Sequence, residues 1–552
     1  MRSTFPTSHL RPTVAAALLA LLIVPPAFSQ NADPAELFGD VVDVRVVNLE
    51  VVVEKGGDRV HDLTAEDFEL TVDGQPIPIE FFTEVRGATA VAPFDPDVTG
   101  PSTVPALAPG EAVGTRYLVF IDDLFTITPY RNRVLKQLKK DLSFLGPDDS
   151  MAIVAFNGKS IDLLSTWSRS ERELTSALRK AIDRPTQGLR FRSFRDLNDD
   201  FRFAEARTGF AADRFGPFAR GAVGPGQRAY TEVTDLVDAA ASTLRAFAQP
   251  EGRKTMLLVS GDWPAIDAGF EFDQPVGFAA YQSYGLFTPL VDTANLLGYT
   301  VYPVDAAGVE TRFTDASVGS LRQASLQRQF SRNREFLQES TLVNIAEETG
   351  GRALLDGASR FALARVFEDT RSYYSIGFTP TWLANDERHS VDIDVPGLRG
   401  AKIRMRRSFT DVSPGTEATL RLESAQLFDL PLPSAGALTA SFGEPQDKGW
   451  RKVLVPLDVQ IPLDLVTKLP VDGGWASRLE LRVAVTDDRG DRADIPVVPV
   501  VLKGDVAPTP GATETFTTFL KMRERPHRVL ISLVDATSGD ELSTRIDIVF
   551  DS

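Results

Sequence analysis

Two short, almost wholly apolar runs constrain the fold of this chain more than any other feature: residues 117–121 (YLVFI) and residues 255–259 (TMLLV). A strand with one solvent-facing side alternates apolar and polar residues, whereas a strand covered on both sides is apolar throughout. Stretches with the apolar spacing of helices, such as 129–145 and 231–248, separate these and neighbouring strands. Strands that alternate with helices predict βαβ crossovers, and therefore an α/β domain over 112–372 with a doubly wound, mostly parallel sheet.

The sequence on both sides of this domain has the two-residue alternation that is typical of half-buried strands. Residues 36–95 predict an N-terminal β module with a hairpin turn at Asp73-Gly74. Strands over 373–410 are candidates to complete this module. Residues 415–552 alternate again and predict a C-terminal β-sandwich domain. We therefore expect β-sandwich-like modules to flank the α/β domain.

The N-terminus has the pattern of a signal peptide over residues 1–29. Two arginines precede an apolar run at 14–24 (VAAALLALLIV), and small residues follow at 27–29 (AFS). A membrane anchor would need about 20 apolar residues, and two prolines end this run sooner. We therefore expect a secreted protein, periplasmic or extracellular, that does not insert into a membrane after signal cleavage.

The composition excludes several classes of function. The formal net charge of −17 disfavours binding to nucleic acid, which needs clustered cations. The chain has no cysteine, so disulfides, thiolate nucleophiles and Cys-ligated zinc are excluded. The histidines beyond the signal peptide, His61, His389 and His527, are far apart in sequence. These features disfavour histidine- or cysteine-based catalysis and a multi-histidine metal site, and we do not expect an enzyme.

Acidic loops follow both apolar strands. One loop is 122–128 (DDLFTIT), and the other is 260–262 (SGD). In doubly wound sheets, ligands bind beyond the carboxyl ends of the strands. Carboxylate and hydroxyl oxygens that meet there are the ligands that Mg²⁺ and Ca²⁺ prefer. The sequence therefore predicts a binding site at this edge of the sheet.

The first loop can also be interpreted as a helix-capping segment that binds no metal. Thr128 before Pro129 has the form of a helix N-cap followed by proline at the first helical position. In that reading, Asp122 or Asp123 neutralises the positive end of the helix dipole.

The order of elements and these two loops resemble a von Willebrand factor type A (VWFA) domain. The resemblance is closest to the VWFA-related secreted proteins known mainly from acidobacteria, and it covers about residues 40–410. Further motifs that carry it are 60–68 (VHDLTAEDF), 345–352 (IAEETGGR) and 373–380 (YYSIGFTP). The resemblance implies a Rossmann-like sheet and a metal-ion-dependent adhesion site that binds protein partners.

The resemblance implies a degenerate version of that adhesion site. Leu124 stands where the family has a serine ligand, and Gly261 stands where it has an aspartate, with Asp262 one residue late. Asp123 is a candidate to replace the lost hydroxyl, and the threonine from a later loop is Thr231 or Thr234. The candidate ligands for Mg²⁺ or Ca²⁺ are Asp122, Asp123, Thr126, Asp262 and Thr231.

We therefore predict a secreted protein–protein interaction or adhesion protein that binds a partner at the edge of its VWFA domain. Two alternatives remain open: a structural envelope protein with a non-functional site, and a metal-assisted hydrolase that uses the same carboxylates.

Two arginine-rich features have no place in the expected α/β alternation. Residues 186–228 form an insertion rich in arginine and phenylalanine, which is either a binding surface or a segment that packs its phenylalanines on its own domain. Arg404, Arg406 and Arg407 predict a small basic strand with a solvent-exposed face.

Overall fold

The computed structural model describes most of the chain beyond the N-terminus. The described residues are 46–91, 107–108, 110–190, 225–248, 252–261, 276–306, 340–355, 361–382, 384–428, 431–447, 449, 452–471, 473–490 and 492–550. The predicted signal peptide, Asp262 and residues 191–224 of the arginine- and phenylalanine-rich insertion lie outside them.

The first described strands form the N-terminal β module. They are β1 (Val47–Lys55), β2 (Asp58–Arg59), β3 (Glu69–Val72), β4 (Gln75–Pro76), β5 (Phe81–Arg86) and β6 (Thr89–Ala90), with a 3-10 turn at Ala65–Asp67. The hairpin between β3 and β4 turns at Asp73 and Gly74, where φ is 49° and 75°. A two-residue hairpin turn of type I′ needs positive φ at both central positions, which aspartate and glycine tolerate.

The central domain alternates strands and helices. In chain order it contains β7 (Thr115–Asp122), α1 (Thr128–Asp141), a 3-10 turn (Leu142–Phe144), β8 (Ser150–Phe156), β9 (Ile161–Ser168), α2 (Glu171–Ile182), α3 (Pro225–Ala246), β10 (Arg253–Ser260), α4 (Val276–Leu296), β11 (Tyr299–Asp305), α5 (340–348) and α6 (Ala362–Thr370). The sheet has the order β11-β10-β7-β8-β9. Its strands are parallel except β9, which is antiparallel to β8.

Helices cover both faces of this sheet, which explains why β8 and β10 are buried along their whole length and β7 at every residue except Arg116. Helices α1, α2 and α6 pack with one set of strand side chains, and α3, α4 and α5 pack with the other. The chain is thus a mixed α/β protein. Beyond β11, the described residues 352–355 join the sheet only through a single bridge between Leu354 and Val304. Among the described residues, no helix has both the length and the apolar character needed to cross a bilayer.

The strands that follow the central domain in sequence pair with strands of the N-terminal module. They are β12 (Tyr373–Phe378), β13 (Arg388–Asp394), β14 (Lys402–Arg404) and β15 (Ser408–Thr410). Strand β1 lies between β12 and β14, while β13 pairs with β3. The two resulting sheets, β14-β1-β12-β5-β6 and β15-β13-β3-β4, enclose one apolar core. Strands on both sides of the central domain in sequence therefore build the same module.

The basic strand predicted to face solvent is partly buried instead. Arg404 is buried and donates hydrogen bonds to Asp369 of α6 at 2.6 and 2.9 Å and to Glu54 of β1 at 3.2 Å. Burial disfavours ionisation of Asp369, but Arg404, Arg59 and the hydroxyl of Tyr302 outweigh it and lower the pKa of Asp369 to about 2. The prediction was wrong for Arg404 because local charge does not reveal that an acidic helix end covers this strand.

The C-terminal region contains a helix and two sheets. The elements are α7 (Pro414–Phe428), β16 (Thr439–Phe442), β17 (Gln446–Asp447), β18 (Lys452–Pro462), a 3-10 turn (Leu463–Leu465), β19 (Leu469–Val471), β20 (Gly474–Asp487), β21 (Val497–Gly504), β22 (Thr513–Arg523), β23 (His527–Asp535) and β24 (Glu541–Ile548). One sheet joins β16, β17, β18 and β22, and the other joins β19, β20, β21, β23 and β24. One apolar core lies between them.

Helix α7 corrects the expectation that this region is all β. Buried residues in it include Ala418, Leu420, Leu422 and Ser424, a spacing of two that imitates a strand, together with Ala425. The spacing arises because α7 is covered by both the central domain and the sandwich. Leu422 packs with the strands β20 and β23, and the hydroxyl of Ser424 donates to the carbonyl of Arg245 in α3 at 2.5 Å.

Candidate functional site

The candidate site lies at the carboxyl-terminal edge of the central sheet, which we call the rim. The rim comprises residues 122–126 after β7, 157–160 after β8, 187–190 after α2, and 260–261 at the end of β10. Because β10, β7 and β8 are parallel neighbours, their carboxyl ends meet there. The side chains of the predicted ligands Asp122, Asp123 and Thr126 come together at the rim, and all three residues are 0 % exposed.

Asp122 holds its own loop closed. Its Oδ1 accepts hydrogen bonds from the backbone N–H groups of Leu124 at 2.7 Å and Phe125 at 3.0 Å. Its Oδ2 accepts a bond from the hydroxyl of Ser260 at 2.5 Å. The hydroxyl of Thr126 donates to the backbone carbonyl of Asp122. Both carboxylate oxygens of Asp122, and the hydroxyl of Thr126, are therefore engaged inside the protein.

The burial of Asp122 changes its acidity. Desolvation raises the pKa of this carboxyl to about 6, although the bonds from Ser260, Phe125 and Leu124 lower it in part. A carboxyl that binds its proton more tightly when folded than when unfolded makes the fold more stable as the pH falls from about 6 towards 4. At neutral pH the ionised form therefore carries a cost of about 2–3 kcal/mol.

Replacing Asp122 with asparagine is therefore expected to stabilise the fold at pH 7 by about 2 kcal/mol. The amide oxygen keeps the two backbone N–H bonds, the amide nitrogen can donate to Ser260, and no buried charge remains. Urea unfolding at pH 7 and pH 4.5 checks this: the wild type gains stability at the lower pH, and Asp122→Asn shows a smaller gain. A variant less stable than wild type at both pH values would show that the ionised carboxylate is what the loop needs.

Asp123 forms a buried ion cluster. Its carboxylate accepts hydrogen bonds from the guanidinium of Arg131 in α1 and from that of Arg184, which follows α2, the second at 2.6 Å. Arg131 is 0 % exposed and also donates to the carbonyls of Ile182 at 3.2 Å and Arg184 at 2.9 Å. The side chain predicted to replace a missing metal ligand thus anchors α1 to the end of α2.

Three glycines let the surrounding backbone approach the loop. At Gly261, a Cβ would lie 2.4 Å from the carbonyl oxygen of Phe125, and at Gly188 it would lie 2.4 Å from that of Thr126. At Gly158, where φ is 88°, it would lie 2.7 Å from a methyl of the buried Leu124. A hydrogen bond from the segment after α2 also holds this loop, since the N–H of Gly188 donates to the carbonyl of Thr126 at 3.1 Å. The chain itself therefore covers the loop.

The first turn of α1 differs from the predicted cap. The N-cap residue is Ile127, which has no side-chain bond to the helix, and Thr128 is the first helical residue. Its hydroxyl pairs instead with that of Thr186 at 2.8 Å. Pro129 is the second helical residue, one position later than predicted. The capping prediction for Thr128 is wrong because this hydroxyl connects α1 to the residues after α2.

The described residues do not fit a divalent cation. The oxygens of Asp122 and Asp123 accept internal bonds, Thr231 lies exposed in α3, and Asp262 is outside the described part. No group of three or more acidic or histidine side chains placed to hold a metal occurs among the described residues.

Sequence reasoning missed the partners of the two aspartates: Arg131, Arg184 and Ser260. One signal was available for Arg131, because it lies on the same helical face as Val134, Leu135 and Leu138, which are buried. A charged residue on an apolar face, close to an acidic pair, indicates a buried ion pair. Ser260 was placed at the same edge of the sheet by its position after a buried strand, but Arg184 had no local signal.

Comparisons with known proteins give only weak similarity. No protein-family model matches the chain, and no curated protein matches it. The TFIIH p34 N-terminal domain is 12% identical over 46% of this chain and 97% of that one, with a TM-score of 0.19. The SpRpn10 VWA domain is 11% identical over 35% of this chain and 88% of that one, with a TM-score of 0.14.

A Bacteroides uniformis β-glucuronidase is 11% identical over 33% of this chain, with a TM-score of 0.15. The match spans only 19% of the β-glucuronidase chain. Among these similarities, the one to a VWA domain is weak and partial.

Proposed function

We propose that this chain is a secreted, non-enzymatic interaction protein of the VWFA-related kind, and that it docks a protein partner on the rim without a metal ion. The observation that carries the proposal is the internal use of Asp122 and Asp123. Both carboxylates are 0 % exposed and hold the rim in one arrangement. Such a rim is preformed, and a preformed surface loses little conformational entropy on binding.

The surface around the closed loop favours an acidic partner. Leu189 is 63 % exposed on the rim, and the neighbouring Arg190 and Lys159 are exposed cations. The side chain of Gln187 donates to the carbonyl of Asn157 at 2.5 Å, which joins the two rim segments that carry these residues. Apolar and arginine side chains together are typical of interface centres.

The hydrolase alternative receives no support from the described rim. A carboxylate that acts as general acid or base must reach the substrate directly or through one water. Asp122 and Asp123 lie beneath the surface with internal donors on their oxygens. We therefore favour binding over hydrolysis at this edge of the sheet.

A photo-crosslinking amino acid placed at Leu189 tests the proposal in cells that produce the protein. Phe144, 50 % exposed in the 3-10 turn after α1, is a matched control because α1 begins at the rim and leads away from it. We expect a crosslinked product at position 189 that is absent at position 144 and that persists in a chelator.

Any of three results would contradict this proposal. Equal products at both positions, or no product at 189, would remove the rim as a docking surface and favour the structural envelope alternative. A product at 189 that disappears in a chelator would instead restore a metal-dependent adhesion site.

A further inference from the structure

Helices α1 and α2 present a group of cations beside the rim. We call this group the basic flank, and it consists of four exposed side chains: Arg133, Lys136, Arg179 and Lys180. In the described part of the chain, none of the four forms an ion pair. Because the whole chain has a net charge of −17, this concentration of positive charge is opposite to the overall composition.

The contact between the two helices brings the basic flank together. Helix α1 begins at the rim, whereas α2 ends close to it, so the helices run antiparallel. The side chain of Asn132 donates to the carbonyl of Ile182 at 3.0 Å, which sets the relative level of the helices. Lys136 lies one turn beyond Asn132, and Arg179 lies about one turn before Ile182. The two cations are therefore neighbours on the exposed side of the helix pair.

Neighbouring like charges cost the free protein stability, because they repel each other. The helix dipole accounts for Arg179 and Lys180, since cations stabilise the last turn of a helix. It gives no such benefit to Arg133 and Lys136, which precede the last turn of α1. Folding alone therefore does not explain why α1 carries these two cations beside the end of α2.

The carboxylates closest to the basic flank do not neutralise it. Asp123 is buried and accepts hydrogen bonds from Arg131 and Arg184. Asp183 is exposed after the last turn of α2, but among the described residues no ion pair joins it to the basic flank. The basic flank therefore keeps a positive potential, which attracts an acidic partner and disfavours a basic one.

We propose that the partner on the rim is an acidic protein whose carboxylates also contact the basic flank. This proposal rests on docking at the rim, where Leu189, Arg190 and Lys159 form an apolar and cationic surface. An ordinary interface buries about 800 Å² per partner, a patch about 30 Å across. Lys136 lies only about 12 Å along α1 from its first residue at the rim. A partner centred on the rim therefore reaches the basic flank.

A photo-crosslinking amino acid at Ser176 tests this contact in cells that produce the protein. Ser176 is exposed and uncharged, and it lies one turn before Arg179 and Lys180. We expect a crosslinked product that contains the same partner protein as the product at Leu189. The double reversal Lys136→Glu with Arg179→Glu should lower the yield of both products at least tenfold, because it places like charges against the carboxylates of the partner.

The double reversal Lys452→Glu with Lys521→Glu is the matched control. Both lysines are exposed on the C-terminal sandwich, and their reversal changes the net charge by the same amount. We expect it to leave both yields unchanged, and circular dichroism checks that both double variants are folded.

Two results would overturn the acidic contact: no product at position 176, or equal losses of product in the two double variants. A product at position 189 in the same cells would show that docking at the rim still holds. A product at position 176 alone, which only the reversal of the basic flank removes, would support the flank and contradict docking at the rim.

Discussion

Replacing Asp123 with alanine is expected to lower the free energy of unfolding by about 3–5 kcal/mol. The substitution leaves Arg131 charged and 0 % exposed, without the carboxylate that balances it. The remaining bonds of Arg131 to backbone carbonyls do not neutralise the guanidinium. Urea unfolding followed by circular dichroism measures the loss.

Asp162→Ala is the matched control for this substitution. Asp162 pairs with the same Arg184 at 2.6 Å, but its side chain is 39 % exposed. An exposed ion pair contributes about 1 kcal/mol or less, so the control should stay close to the wild type. If both variants lost equally little stability, Asp123 would not hold the rim, and its carboxylate would be available for another role.

Replacing Gly261 with alanine should destabilise the protein by about 1–3 kcal/mol and displace the 122–126 loop. The added Cβ would lie 2.4 Å from the carbonyl oxygen of Phe125 and 2.8 Å from the Cα of Thr126, both backbone atoms of a loop that is bonded on several sides. Neither atom can move without breaking hydrogen bonds around Asp122. Thermal unfolding and amide exchange of the loop measure the two effects.

Gly285→Ala provides the control. Gly285 lies exposed in α4, and a Cβ there meets nothing within 4 Å. Alanine in an open helical position should stabilise the helix by about 0.5–1 kcal/mol. Equal behaviour of the two variants would mean that the loop is free to move away from Gly261, which would contradict a preformed rim.

Asp123→Ala also separates a preformed rim from a metal site. A metal-dependent site would lose cation binding when a ligand is removed, whereas a preformed rim loses stability. Asp122→Asn adds a third result, because it removes the buried charge while it keeps the loop bonds. The three variants together show which groups the rim uses for folding.

The sequence alone located the main strands and the edge that holds the candidate site. The strands predicted at 117–121 and 255–259 are present as β7 and β10. A continuous apolar run is a local property of the chain, so it can be recognised without knowing its neighbours. Because ligands bind beyond the carboxyl ends of such strands, the sequence indicated Asp122 and the residues after it as a candidate site.

Only the tertiary structure decided what the side chains at that edge do. Asp123 meets Arg184, which lies 61 positions away, and Asp122 meets Ser260, which lies 138 positions away. The same tertiary packing joins β1 to β12 across the whole central domain. An acidic residue has the same chemistry in a metal site and in a buried ion pair. Its partners depend on how distant segments pack, and the local sequence does not contain that information.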